Sequence, residues 1–386
     1  MTGTPGAGRP HGIRSVLLTG VTGSLGSHTC AELLTHTAAT VHCLVRADTQ
    51  VAARTRAVRR LARLDDPPPH TGARLTALPA DVTRPRLGLS GPEFDALAEN
   101  AEVIVHFAAH IDLTAPYDVL APSNVGGVQQ LIALARRRIQ LTGRPPVVHH
   151  MSTAGALLDA RRLGLSTVDE HTRASEQTSG PLGYPRSKAA AEVAWTRAAT
   201  ELGLPVAIHR PAFVTGHSRT GRTFTSDLFI PLLWAATALG AAPAGCPGVP
   251  AERVDVVARA FVRLLDQDAP VPGTARAHHL AHPQPLSLDA LFDALRRAGH
   301  ALETVQPDEW WRRVTKHADD PGVAPLAALH GVGRYLVPVD DSHLPPGYDS
   351  SATWRTLAAC GMEPIPFDDT FLDRLVTGLA LPPPAT

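Results

Sequence analysis

The chain has little that would tie it to a membrane, a polyanion or an oxidising compartment. No apolar run is long enough to span a bilayer, and the opening MTGTPGAGRPHG lacks the apolar core of a signal peptide. Charge of one sign is missing too. Lys plus Arg and Asp plus Glu each number 36, so no bulk field draws nucleic acid or an acidic membrane. There are only four cysteines (Cys30, Cys43, Cys246 and Cys360), spaced neither as a metal site nor as a disulfide framework. These absences predict a cytoplasmic protein with reduced thiols and no membrane or nucleic-acid partner. What is present is a 44% hydrophobic chain of 386 residues, enough for one large core or two ordinary ones. The 35 prolines accompany much Ala and Arg and read as compositional bias, so isolated prolines carry little weight.

Residues 15–34 organise the rest. Val16, Leu17 and Leu18 form a short apolar run that suits a buried parallel strand. The segment Thr19, Gly20, Thr22, Gly23, Ser24, Leu25, Gly26 then turns sharply with few side chains in its path, before a helical pattern that includes Ala31, Leu33 and Leu34. Strand, glycine turn and helix make a phosphate site: the helix N-terminus offers unpaired N–H groups, and the glycines let a pyrophosphate reach the backbone. A glycine triplet alone is an ordinary tight turn; its flanks make this one a dinucleotide site.

The alternation continues. Residues 41–45 read as a second strand ending at Arg46, which can pair with the extra phosphate of NADP, while Asp48 keeps NAD open. Residues 52–64 read as an Arg-rich, mostly solvated helix, from which Arg56 can reach the same phosphate. A proline-rich loop at 65–72 leads to a third strand at 74–79. Asp81, followed by Val82, lies at that strand's end, either against an adenine amino group or as a plain turn aspartate. A fourth strand at 103–107 runs into Ala108 and Ala109, small enough for a cofactor to pass. A long helix at 117–138 carries Asn124, and a fifth strand at 146–151 ends at Ser152 and Thr153. His149 and His150 read as strand residues rather than metal ligands, and no metal site is expected. Repeated strand–helix–strand order predicts an α/β fold with a Rossmann-like doubly wound parallel sheet.

The chemistry lies at Gly183-Tyr-Pro-Arg-Ser-Lys188. A helix starting here puts Tyr184 and Lys188 on one face. A nearby ammonium lowers a phenol's pKa, making Tyr184 a proton donor or acceptor near neutral pH, and Lys188 can also hold the nicotinamide ribose. Thr153 supplies a hydroxyl to orient a substrate carbonyl. Proline biases the residue before it away from helix, which predicts Tyr184 just outside the helix.

These motifs, with Asn124-Val-Gly-Gly and His209-Arg-Pro211, resemble the extended short-chain dehydrogenase/reductases over about residues 14–300. Within that group the chain is similar to the terminal thioester reductase domains of nonribosomal peptide and polyketide synthases, and to carboxylic acid reductases. Cys43-Leu-Val-Arg-Ala47, Asp81-Val-Thr-Arg-Pro85 and Val254-Asp-Val-Val-Ala-Arg-Ala260 carry the closer likeness. The resemblance implies catalytic Thr153, Tyr184 and Lys188, and NADPH bound along the residues above and along Asn124, Pro211, Ala212, Phe213 and Val214. Ala212 departs from the family's usual glycine, and should crowd the nicotinamide slightly. The implied reaction is reductive release of a thioester, held on a phosphopantetheinylated carrier protein, through a hemithioacetal to an aldehyde or on to an alcohol. Thr153 and Tyr184 would stabilise the oxyanion. A sugar-nucleotide epimerase or dehydratase with the same Tyr-Lys pair remains an alternative, as does a non-redox cyclising or docking domain.

The rest of the organisation follows. Residues 1–12 are expected to be a flexible leader, 13–215 with about 250–275 the NADP-binding domain, and 216–249 with 276–386 a smaller, mainly helical substrate-binding part in a monomer. In residues 224–234, Phe224, Leu228, Phe229, Ile230, Leu232, Leu233 and Trp234 form either core or the moving wall of an acyl channel hinged near Gly221 and Gly240. Residues 286–298 read as an amphipathic helix, and His278, His279 and His282 as surface or core.

Overall fold

The structure, a computed structural model, describes residues 13–69, 72–223 and 229–379; the leader expected at 1–12 lies outside them, as do Phe224 and Leu228. Strand alternation sets the layers. In Ser15–Thr19 (β1), Val16 and Leu18 belong to one apolar cluster and Leu17 to the opposite one. It joins Thr40–Val45 (β2), Leu75–Pro79 (β3), Val103–His106 (β4), Val147–Met151 (β5), Val206–Pro211 and Ala275–Leu280 in one seven-stranded sheet. The order is β3-β2-β1-β4-β5 followed by the two later strands, with every pairing parallel. Ser24–His36 (α1) and Val254–Gln267 cover one face; Gly91–Asn100, Gly126–Thr142 and Gly183–Leu202 cover the other. The expected Rossmann-like class is borne out. Strand order reverses between β1 and β4, which opens a crevice at the strands' carboxyl ends.

Some local expectations shift. The helix read at 52–64 is Gln50–Leu61, because the Thr49 hydroxyl accepts from Ala52 N–H at 3.2 Å and caps it two residues earlier. The single helix read at 117–138 is two, Tyr117–Asn124 and Gly126–Thr142: Pro122 lacks an N–H, and the chain bends at Val125. Ala275–Leu280, assigned by sequence to the substrate-binding part from 276 on, is instead the edge strand beside Val206–Pro211. Its consecutive His278 and His279 hide the usual apolar pattern. These histidines and His282 are buried, which decides for core over surface. His149 meets His209 at 3.0 Å (Nδ1 to Nε2) and His209 stacks on His278 with ring centres 5.1 Å apart. Burial pushes His149 down to about 3 and His278 to about 4, so this column is neutral. Among the described residues no group of three or more His, Cys, Asp or Glu is placed to hold a metal ion.

Beyond the sheet, a further apolar cluster gathers Phe229, Phe292, Trp310, Trp311 and Phe371 from the helices that follow residue 228. The described half of the suspected channel wall, helix Phe229–Leu239, is fixed core: Phe229, Ile230, Leu232 and Leu233 are buried there, and none borders the cavity described below. Gly221 is a clamp rather than a loose hinge, since a Cβ on it would lie 2.1 Å from the Arg374 carbonyl.

Candidate active site

The glycine turn is built for close approach. Gly20 holds φ +81°, and a Cβ there would lie 2.7 Å from Ala108 N; a Cβ on Gly26 would lie 2.2 Å from Gly20 O. Gly23 N–H donates to Gly20 O at 2.9 Å, and Gly23 caps α1 without a side chain. The glycines thus let the turn fold tightly on itself, and the first N–H groups of α1 open on the cavity side of that turn, where Thr22, Ser24 and Leu25 also stand. The Thr19 hydroxyl accepts from Phe107 and Ala108 N–H at 3.2 and 3.1 Å and pairs with His106 Nδ1 at 2.7 Å, tying the ends of β1 and β4 together.

A cavity of about 750 Å³ starts at this turn and passes the ends of β2, β3, β4 and β5. Of the residues the resemblance implies for catalysis and cofactor binding, all but Asn124 border it. At one end stand Arg46, Arg56, Asp81 and Val82; the Arg56 guanidinium donates to the Arg46 backbone carbonyl, and both residues border the cavity. Asp81 accepts from Thr83 N–H at 2.9 Å and from the Thr83 hydroxyl at 2.8 Å, so it is a turn aspartate that also borders the cavity. Ala108 and Ala109 form the middle, with Pro211, Ala212, Phe213 and Val214 facing it. Asn124 stands back. It accepts from His110 N–H at 2.7 Å and donates to His110 O at 3.0 Å and to the Ser187 hydroxyl at 2.8 Å, locking the loop after β4 onto the Tyr-Lys helix.

The Tyr-Lys helix is Gly183–Leu202, so Tyr184 sits inside its first turn rather than outside it. Pro185 is tolerated because N–H groups in a first turn have no partner in the helix. Gly183 permits the start: a Cβ there would lie 2.2 Å from Ala115 O. The electrostatics also differ from the expectation. Burial pushes the Tyr184 phenol up to about 12, with no lowering by the ammonium. Lys188 is occupied elsewhere, donating to Met151 O at 2.6 Å, and burial brings it down to about 8. Its proton is thus labile near neutral pH. Thr153 accepts from Gly155 N–H at 3.1 Å, which fixes the oxygen and leaves its own O–H to donate into the cavity. For an ammonium that shares in catalysis, kcat/KM for the cofactor is expected to fall as pH rises through about 8, measured as a pH–rate profile.

Sequence reasoning missed the support behind these groups. Glu192 lies one turn beyond Lys188, fully buried, and receives two nitrogens of Arg210, with Nη2 to Oε2 at 2.7 Å. The Ser152 hydroxyl, next to Thr153, donates to Glu192 as well. Arg210 also donates to Thr172 O at 2.9 Å, and its own carbonyl accepts from the Tyr348 hydroxyl at 2.7 Å. The available signal was an acid at helical spacing after Tyr-x-x-x-Lys, together with the Arg of His209-Arg-Pro211.

Residues 18–261 match the NAD-binding family described as male sterility protein. The chain belongs to this family. A linear gramicidin synthase of Brevibacillus parabrevis is 32% identical over 86% of this chain and 6% of that protein. Glycine betaine reductase ATRR of Emericella nidulans is 33% identical over 77% of this chain and 23% of that protein. The chain thus spans a small part of the curated relatives it matches. The terminal R domain of the myxalamid PKS-NRPS pathway superposes with a TM-score of 0.84 at 29% identity, covering 96% of this chain and 91% of that one. The resemblance to terminal reductase domains is borne out, and the matched family is a dinucleotide-binding one. Among the described residues no helix is long and apolar enough to cross a membrane.

Proposed function

We propose that this chain is an NADPH-dependent reductase that releases an acyl or peptidyl thioester from a phosphopantetheinylated carrier protein as an aldehyde. One observation carries the reading: Thr153, Tyr184 and Lys188 border the same cavity as the glycine turn at the start of α1 and a group of apolar side chains. The residues present fit a dinucleotide phosphate, since the glycine turn with the α1 N-terminus has the shape and polarity for a pyrophosphate and Arg46 with Arg56 suits a further phosphate. When bound, the nicotinamide would supply the hydride. The Thr153 hydroxyl would orient the thioester carbonyl by donating to its oxygen. Tyr184 would donate its phenolic proton as negative charge develops there, and Lys188 would hold the ribose and restore that proton. The C–S bond then breaks, giving aldehyde and carrier thiol for each NADPH and proton consumed. Asp81 and Val82 would line the adenine.

The cofactor preference is testable at Arg46. The unmodified protein should bind NADPH more tightly than NADH, and Arg46→Ala should erode the difference by about 1.5–3 kcal/mol, the worth of a charge-assisted bond to phosphate. Fluorescence titration with both cofactors reads it. Equal affinity in the unmodified protein would overturn the assignment to NADPH.

A further inference from the structure

We propose that the acyl half of the cavity selects an uncharged, apolar acyl group, aliphatic or aromatic, and excludes chains that end in a carboxylate or an ammonium. The inference rests on the thioester-reductase reading and names its substrate class. Besides Thr153 and Tyr184 the lining includes the apolar Leu157, Val168, Val332, Leu336, Pro345 and Pro346. Leu157, Val168 and Leu336 are at most 2% exposed, so this part of the wall is packed firmly into the fold. Its two phenols offer rings rather than hydroxyls. Tyr335 O–H donates to Asp159 at 3.2 Å, and Tyr348 O–H donates to the Arg210 carbonyl at 2.7 Å while its ring stacks on His279 with centres 4.0 Å apart. Asp159 is itself paired with Arg162 at 3.2 Å.

Charge is segregated. Among the described residues the charged side chains bordering the cavity are Arg46, Arg56, Asp81 and Lys188, all at the cofactor end or beside the reacting carbonyl. His110 borders the middle, where Asn124 holds its backbone. The apolar end is also a built wall. Gly347–Tyr348 pairs in parallel with Thr167–Val168, and Leu157, Ala160 and Val168 form a small cluster against Tyr348. An ionic chain terminus entering here would lose its water and find no partner, whereas each methylene would leave water for apolar contact.

The test is a panel of pantetheine thioesters reduced with NADPH: butyryl, hexanoyl, octanoyl, phenylacetyl, succinyl and β-alanyl. Octanoyl and phenylacetyl are expected to exceed succinyl and β-alanyl by ~10²-fold or more in kcat/KM, with roughly a fourfold gain per methylene from butyryl to octanoyl. Val332→Lys, at a half-buried wall position, should raise succinyl relative to octanoyl by about tenfold or more. Equal kcat/KM for succinyl and octanoyl in the unmodified protein would overturn the proposal. If no thioester is reduced, the reductase reading fails, and calorimetric binding decides the selectivity separately. Tighter binding of octanoyl- than of succinyl-pantetheine sustains it, and equal binding overturns it.

Discussion

Tyr184→Phe is expected to lower thioester reduction by ~10²–10⁴-fold while leaving cofactor affinity nearly unchanged. The loss is large because no other hydroxyl stands in the helix turn that also carries Lys188 and faces the cavity. Thr153 can still polarise the carbonyl, but an aliphatic hydroxyl is a far weaker acid than a phenol. The phenol's elevation to about 12 by burial keeps it protonated, so it waits as an acid rather than as a phenolate. Lys188→Ala should impair both steps, since on the proposed mechanism the ammonium would serve ribose and phenol together. Single-turnover kinetics beside a cofactor titration separate the two variants. Unchanged turnover in Tyr184→Phe would move the proton donor elsewhere and revive a cyclising or docking role.

Glu192→Gln is expected to cost about 3–5 kcal/mol of folding stability, because Arg210 is then buried with its charge uncompensated. A double change, Glu192→Leu with Arg210→Met, should recover most of that loss, as buried pairs are often replaceable by apolar groups of similar volume. Urea unfolding of the three proteins measures it. Catalysis gives a second reading. The Glu192 charge holds the Lys188 proton on against burial, so its removal should move the alkaline limb of the rate profile below pH 8. The sign on stability is the reverse of a salt-bridged lysine. With its pKa lowered from 10.5 to about 8, Lys188 lacks a proton between those values that the unfolded chain binds, and this contribution to stability rises with pH across that window. A Glu192→Gln protein that melts unchanged would show that Arg210 draws its support from the Thr172 carbonyl and His279 instead.

The glycine turn, the first five strands and the Tyr184–Lys188 pair were legible in the sequence because each is a local rule: a conformational need at Gly20 and Gly26, alternation in the strands, helical spacing in the pair. What was not legible depends on partners distant in the chain. Asn124 reads as a cofactor residue until the fold brings His110 and Ser187 to it. Glu192 and Arg210 are an ordinary helix acid and strand base until packing removes both from water. Ala275–Leu280 becomes a strand only because Val206–Pro211 offers an edge, and its histidines become core only because neighbours cover them. The expected lowering of the Tyr184 phenol failed for the same reason, since sequence spacing gives the ammonium's distance along the helix but not its commitment to the Met151 carbonyl.

The most direct test of reductive release is to supply an octanoyl-pantetheine thioester with NADPH deuterated at the transferring C4 position, and to follow cofactor oxidation, thiol release and product mass together. The expected result is equal amounts of oxidised cofactor, free thiol and octanal, with the deuterium on the aldehyde carbon. Release of thiol without cofactor oxidation, or octanal that carries no deuterium, would contradict it.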